Sequence, residues 1–239
     1  MLTKIPVSLK GWTMTDSQQA ASSLAIPSLG TLEAYVIYVD LNGFTQMVAN
    51  SESRQSGMIA QFTRDCLLGI VKAIEVEGGE IVGFMGDAVL GIIQDSESVV
   101  CACFGIAKNV DRQCEYVSEI QQSHKDAWPF CPGGPSFKIA IEYGTLDIST
   151  IWSRFLGEQR LFIGGAINYA ARISAAARGL NRCVIGPAAA KMAFSSYDLD
   201  GPQQVDGKSG ESSYDFFIFP MGDIWIEDPR SEDTSTFWG

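Results

Sequence analysis

The chain reads as an α+β domain, with a mixed, mostly antiparallel sheet and helices packed on one of its faces. Three observations predict this. Short β-rich apolar runs and longer helical stretches follow the order strand, helix, strand, strand, helix, strand, then a further helix and strands. Residues 57–77, GMIAQFTRDCLLGIVKAIEVE, place Met58, Phe62, Leu67, Ile70, Val71 and Ile74 at helical spacing. Residues 79–94, GGEIVGFMGDAVLGII, set two apolar runs on either side of Gly86-Asp87, a link short enough to favour a tight hairpin.

The elements follow in order. Residues 1–30 are polar and irregular and predict an N-terminal arm. AYVIYVD, residues 34–40, is a β-rich run that ends in an acid. NGFTQMVANSESRQS then mixes turn and helix signals, and Gly78-Gly79 stops the helix that comes after it. Strands are expected over 80–85 and 88–94, and a long helix over 97–122. PFCPGGPS, residues 129–136, is a loop by its Pro and Gly content. FKIAIEYGTLDIS, 137–149, predicts a strand, a turn at Gly144 and more strand. A short strand over 161–164 precedes a compact Ala-rich helix over 166–178. CVIG is a short strand, PAAAKMAF a short helix with Pro at its start, and YDFFIFP a closing strand. The tail from Met221 is acidic and polar and is expected to be weakly ordered. The predicted organisation is therefore an arm (1–30), one catalytic-sized domain (31–220) and an acidic tail (221–239), with no internal repeat.

Composition narrows the function. The 239 residues suit one large domain, and a 46% hydrophobic, 19% charged chain builds a core rather than staying disordered. A net charge of −11 excludes nucleic-acid binding through the overall field. A small polyanion would need a local basic cluster, backbone N–H groups or bound cations. The first 30 residues lack a continuous apolar segment, and no run approaches the roughly 18 apolar residues of a membrane span. A soluble, cytoplasmic protein is expected. Cys66, Cys101, Cys103, Cys114, Cys131 and Cys183 form no zinc-ligand spacing and read as buried thiols in a reducing compartment. His124 is the only histidine and lies in the polar stretch QQSHKD, so a His-rich metal site is excluded by count.

Two aspartates, Asp40 and Asp87, would meet if their strands were neighbours in one sheet. With the Leu41 carbonyl they would make an all-oxygen site of the kind that suits Mg²⁺ or Mn²⁺. Asn42, Gly43, Phe44 and Thr45 open a helix whose free N–H groups suit a triphosphate. In FIGGAINYAARIS, residues 162–174, Asn168 and Arg172 share one helical face. Arg172 offers a fork of N–H donors to a phosphate, and Asn168 can fix a hydroxyl or ring oxygen. Singly, each feature has a plainer reading: an Asp after a strand is ordinarily a turn or cap residue, and an Asn and an Arg on an Ala-rich helix are ordinarily solvated. Their order and context together favour chemistry.

YVDLNGFT (38–45), GGEIVGFMGDAVLGII (79–94), FKIAIEYG (137–144) and FIGGAINYAARI (162–173) resemble, in that order, the signature blocks of the class III nucleotidyl cyclase catalytic domain. The resemblance covers about residues 34–219. It implies the ferredoxin-like-related sandwich of that family. It implies two divalent metal ions, Mg²⁺ or Mn²⁺, on Asp40, Asp87 and the Leu41 carbonyl. It implies that the backbone of residues 42–45 cradles the β- and γ-phosphates, that Asn168 positions the ribose and that Arg172 stabilises the transferring phosphate. It further implies a head-to-tail homodimer, in which the metal residues of one chain face the Asn and Arg of the other, with the active sites at the interface. The reaction implied is attack of the ribose 3′-oxygen on the α-phosphate with release of pyrophosphate.

The chain departs from the family at the base pocket. One family position, four residues before the second metal Asp, usually carries Lys in adenylyl and Glu in guanylyl cyclases; here it is Gly83. The other, seven residues before the Asn, is usually Asp or Thr for adenine and often Cys for guanine; here it is Leu161. Neither side chain can read a purine edge. With no fused sensor domain expected, the chain resembles the pyrimidine cyclases of the Pycsar bacterial anti-phage systems. These make cyclic UMP or cyclic CMP, and the product acts on a separate effector protein. UTP is favoured over CTP because uridylate members are common in the resembled group. The family's triphosphate-binding Lys lies in a V-K-G-K pattern; here Val205-Asp206-Gly207-Lys208 leaves Lys208 to supply the charge. Asn50 and Arg54 follow the phosphate loop as candidate base readers, although surface helix residues are the ordinary reading. The alternatives are an adenylyl cyclase with an atypical base pocket and a catalytically silent cyclase-like regulatory module.

Overall fold

The computed structural model describes residues 28–50, 56–123, 136–155, 157–177 and 182–220. The expected arm over 1–27 and tail over 221–239, together with Arg54, His124 and Cys131, lie outside the described residues. The elements are β1 (Ser28–Asn42), α1 (Phe44–Asn50), α2 (Ser56–Val76), β2 (Glu80–Met85), β3 (Ala88–Ile93), α3 (Ser96–Ser123), β4 (Ser136–Ser153), β5 (Gly157–Ile163), α4 (Gly165–Ile173), β6 (Arg182–Ile185), α5 (Pro187–Met192), β7 (Asp200–Val205) and β8 (Tyr214–Phe219). They form one sheet in the order β2-β3-β1-β4-β6-β8-β7, with β5 pairing β4 beyond the reach of β6. Among the described strands only β4 and β6 run parallel, so the sheet is mixed and mostly antiparallel.

The centre of the sheet is β1, buried on both sides. Its odd-numbered residues Tyr35, Ile37, Val39 and Leu41 face a core shared with α2 and α3, while Ala34 and Val36 face a second core with Phe162 and the α4 residues Ala166 and Ala170. The period-2 alternation of a strand makes both packings possible at once. The expectation of helices on one face is therefore corrected: α2, α3 and α5 cover one face, and α4 with the 3₁₀ turn Ser174–Ala177 covers the other. The apolar count of each helix was readable, but which face it buries depends on how β1 and β4 pair.

Other boundaries shift for local reasons. The run at 34–40 is the middle of a longer strand, so Asp40 lies two residues inside the strand end. No turn occurs at Gly144. It pairs with Ala34 inside an unbroken β4, and a Cβ there would lie 3.2 Å from the Ala166 Cβ. This glycine serves the close approach of α4 to the sheet rather than a reversal of the chain. The helix expected to reach residue 178 changes to 3₁₀ geometry at Ser174, and β7, which has no apolar alternation, was not expected at all. The α3 start is set by Asp95, whose Oδ2 accepts from the Ser98 amide at 2.8 Å. Cys66, Cys101, Cys103 and Cys183 are buried and unbridged, in line with the expectation for these four. Among the described helices none is long and apolar enough to cross a membrane.

Candidate active site

The hairpin at residues 85–88 places the first carboxylate. Met85 pairs with Ala88, leaving Gly86-Asp87 as the two-residue loop. Gly86 has φ +68° and Asp87 does not share that left-handed geometry, the pattern of a turn that needs glycine first. The second carboxylate comes from register. β1 and β3 are antiparallel neighbours with Asp40 opposite Ala88, so Asp40 stands beside the turn that carries Asp87. The two side chains are within hydrogen-bonding reach of each other.

A pair of like charges in a half-buried site is costly, and Asp87 bears the cost. Burial first, and the negative charge of Asp40 second, push its carboxyl from the ordinary 3.8 up to about 6. Partial relief comes from Lys138, which β4 delivers directly opposite Asp40; its Nζ lies 2.6 Å from Asp40 Oδ2, with side chains only 12% and 17% exposed. Lys138 was not anticipated. A lone cation in an apolar strand was a visible signal, but its partner depends on the β1–β4 register.

This arrangement fits a divalent cation. Two oxygen donors converge, burial and the neighbouring carboxylate raise the pKa of one of them, and a single ammonium, Lys138, faces two carboxyl groups. Leu41, the third expected ligand, has its side chain buried at 4% exposure, so only its main chain is available to a site. Among the described residues no group of three or more His, Cys, Asp or Glu side chains forms a metal cluster, so the carboxylates that converge here are those of Asp40 and Asp87.

The strain has a measurable consequence. A carboxyl whose folded pKa is raised contributes stability that is fully present below about pH 4 and is lost as pH rises through about 6. Without divalent cations, Asp87→Asn is expected to be more stable than the parent at pH 7.5 by about 1 kcal/mol, allowing for solvent screening of this half-exposed group. The gain should shrink to nothing near pH 4. Thermal midpoints across that range measure it, and an Asn variant no more stable than the parent at pH 7.5 would count against a strained pair.

The Gly43 turn leads into α1, where Gly43 has φ +76° and its carbonyl accepts from the Met47 amide at 2.9 Å. Asn42, Gly43, Phe44 and Thr45 thus sit two to five residues beyond Asp40, at the same end of β1. Phe44 is partly buried against the core, while Gly43 and Thr45 are exposed.

On the opposite side of the sheet from α2 and α3, α4 buries Ala166, Ala170 and Ile173 and leaves Asn168 exposed and Arg172 half-buried. Arg172 Nη2 donates to Glu211 Oε1 at 2.8 Å. Glu211 lies in the loop between β7 and β8, the loop that also carries Lys208, whose backbone amide donates to Glu211 Oε2 at 3.1 Å. The structure therefore brings Lys208 and Arg172 into one cluster through a carboxylate not anticipated from sequence. Among the described residues no hydrogen bond or ion pair joins Asn168 or Arg172 to Asp40 or Asp87. Tyr38, which packs against the cluster that holds Ile173 and Tyr169, also lies in the field of Asp40 and Asp87, so both groups belong to the face of the sheet that α4 covers.

The two base-pocket positions come from strands that touch. Arg160 of β5 pairs with Glu80 of β2, next to Leu161 and three residues from Gly83. A Cβ at Gly83 would meet nothing within 4 Å, and Leu161 is 37% exposed. Asn50 ends α1, and nothing in the described structure bears on its side chain.

No protein-family model matches the chain. It is 26% identical over 157 residues to an adenylate cyclase of Anabaena cylindrica, covering 65% of this chain and 29% of that protein. The chain thus spans less than a third of the curated relative it matches. Its fold is similar to the adenylyl cyclase CyaB from P. aeruginosa (TM-score 0.60, 16% identity, 80% of this chain and 95% of that one). It is also similar to the guanylyl cyclase Cya2 (TM-score 0.61, 17% identity, 80% and 93%). A class III adenylyl cyclase-like ATP-binding protein from Pseudomonas aeruginosa matches at TM-score 0.56 and 18% identity over 75% of this chain and 37% of that one. The fold is that of the class III nucleotidyl cyclase catalytic domain.

Proposed function

We propose that the protein is a metal-dependent nucleotidyl cyclase that converts a pyrimidine nucleoside triphosphate, UTP in preference to CTP, to the 3′,5′-cyclic monophosphate and pyrophosphate. The observation that carries the proposal is the convergence of Asp40 and Asp87, brought together by the β1–β3 register, on a cyclase fold. Bound at these carboxylates and the Leu41 carbonyl, Mg²⁺ or Mn²⁺ would supply charge neutralisation for the phosphates and activation of the attacking oxygen. The chain's own residues do the positioning. Asn168 orients the ribose, and Arg172 donates to the phosphate on which negative charge grows. The amides of residues 42–45 and Lys208 hold the β- and γ-phosphates, and Lys138 adds a cation beside Asp40. Little covalent work falls to side chains.

Pyrimidine choice is supported by Gly83 and Leu161, which present no polar group to a purine edge. A homodimer is supported by the β4–β5 hairpin, which leaves Trp152 72% and Phe155 92% exposed. A pyrimidine product would act as a second messenger on a separate effector, in bacterial anti-phage defence. The likeness to an adenylate cyclase favours one competing reading, an adenylyl cyclase with an atypical base pocket.

The test is to incubate the full chain with ATP, GTP, CTP and UTP separately with Mn²⁺ and to read products by mass. Cyclic UMP, with less cyclic CMP, is the expected result. Cyclic AMP alone would select the competing reading, and no product from any nucleotide would move the protein to a silent, cyclase-like module.

A further inference from the structure

Glu211 occupies an unusual place. One carboxylate oxygen takes the Arg172 guanidinium at 2.8 Å; the other takes the Lys208 amide at 3.1 Å and the Tyr214 hydroxyl at 3.3 Å. The loop holds it there by construction. The Glu211 amide donates back to the Lys208 carbonyl at 2.8 Å, so the two residues clasp each other. A Cβ on Gly207 would lie 2.4 Å from the Ser212 carbonyl oxygen and 2.7 Å from the Glu211 Cβ, so only glycine lets the loop close this tightly. The loop is fastened to α4 as well. The Tyr169 ring meets Tyr214 edge to face at 4.9 Å, and its hydroxyl donates to the Asp215 carbonyl at 3.0 Å.

A guanidinium N–H, a main-chain N–H and a hydroxyl converging on two oxygens is a donor set that a phosphate would also accept. We infer that Glu211 is a built-in occupant of the Arg172 phosphate seat, which the polyphosphate of the substrate must displace. Its charge therefore sets how tightly triphosphate binds. The inference rests on the reading of Arg172 as a phosphate-binding residue. The carboxylate and a phosphate cannot share the guanidinium without like-charge repulsion. With side chains 28% and 35% exposed, the pair is weak enough to open, yet not fully screened. Glu211 is thus a positioning residue. It holds the Arg172 guanidinium in one place and releases it only to a stronger anion.

Calorimetric titration of the full chain with inorganic triphosphate, and separately with UTP, tests this. Four proteins are compared: the parent, Glu211→Gln, Arg172→Ala and the double variant. Gln keeps the size and the acceptor for the Lys208 amide but removes the charge. Glu211→Gln is expected to bind inorganic triphosphate roughly three- to tenfold tighter than the parent. Glu211→Asp, which keeps the charge, should not show the gain. In the Arg172→Ala background the gain should vanish, since the two side chains act through one contact. Glu211→Gln binding no tighter than the parent overturns the inference, as does a gain that persists without Arg172 or a triphosphate affinity indifferent to Arg172→Ala. The cyclase reading is judged separately, by whether the parent yields any cyclic product, so the two can fail independently.

Discussion

Replacing Asp87 with Ala is expected to lower cyclic-nucleotide formation by about a thousandfold or more, with the fold intact. The two halves of that statement have different physical origins. Activity falls because one of only two side-chain carboxylates at the proposed metal site is gone, and with it the charge that would hold the cation. The fold survives because Asp87 lies in a two-residue turn, where it is strained by burial and by the charge of Asp40 rather than stabilised by a partner. Asp40→Ala should be equally inactive, but it is the less clean variant. It removes the direct partner of the Lys138 ammonium, which is only 12% exposed, and leaves it the neighbouring Asp87 alone, so some stability is lost with the activity. Product quantification by mass, alongside circular dichroism melts, separates loss of chemistry from loss of structure. Two folded variants that both keep activity within about tenfold of the parent would sink the carboxylate-pair mechanism.

Mixing an inactive Asp40→Ala chain with an inactive Arg172→Ala chain is expected to restore about a quarter of parental activity. Random pairing puts half the chains in mixed dimers, and each mixed dimer has one whole site of two. The motive is the proposed shared site, with Asp40 and Asp87 from one chain and Asn168 and Arg172 from the other. Within one chain Arg172 is engaged by Glu211, and Asp40 by Lys138, with no described contact between the two groups. If the proposed site is shared, the two groups come from different chains, and a mixed dimer holds one whole site. Trp152 and Phe155 on the β4–β5 hairpin offer exposed apolar surface for such an association. Native mass spectrometry shows whether mixed dimers form. Mixed dimers without recovered activity would show that each chain builds its own site, and the shared-site arrangement would have to be abandoned.

Much of the fold was readable because its signals are local. The Gly86-Asp87 hairpin, the α2 periodicity and the Pro187 helix start each involve a few neighbouring residues, and all three appear with boundaries moved by no more than a residue or two. Misreadings arose where a residue serves a distant partner. Gly144 looked like a turn because glycine usually marks one, yet it makes room for Ala166 of α4. β7 was passed over because an edge strand exposed to solvent has no alternation to betray it. Glu142, an acid inside an apolar strand, is buried. It accepts hydrogen bonds from the Tyr143 amide at 2.7 Å and the Ala189 amide at 3.0 Å, so it anchors the start of α5 to the sheet.

The candidate site divides along the same line. Which residues are candidates for the chemistry is written in the chain: Asp40 and Asp87, Asn168 and Arg172, the glycine turn after Asp40 and the unpolar pair Gly83 and Leu161 all belong to short contiguous blocks. What each is paired with is not. Lys138 reaches Asp40 only because β1 and β4 align in one register, and a slip of a single residue would send its ammonium to the other face. Glu211 reaches Arg172 across 39 residues only because the β7–β8 loop folds back over α4. Local composition selects turns, helices and reactive groups. The electrostatic partners that strain one carboxylate and occupy one guanidinium are selected by strand pairing, which acts over distances that no short stretch of sequence records.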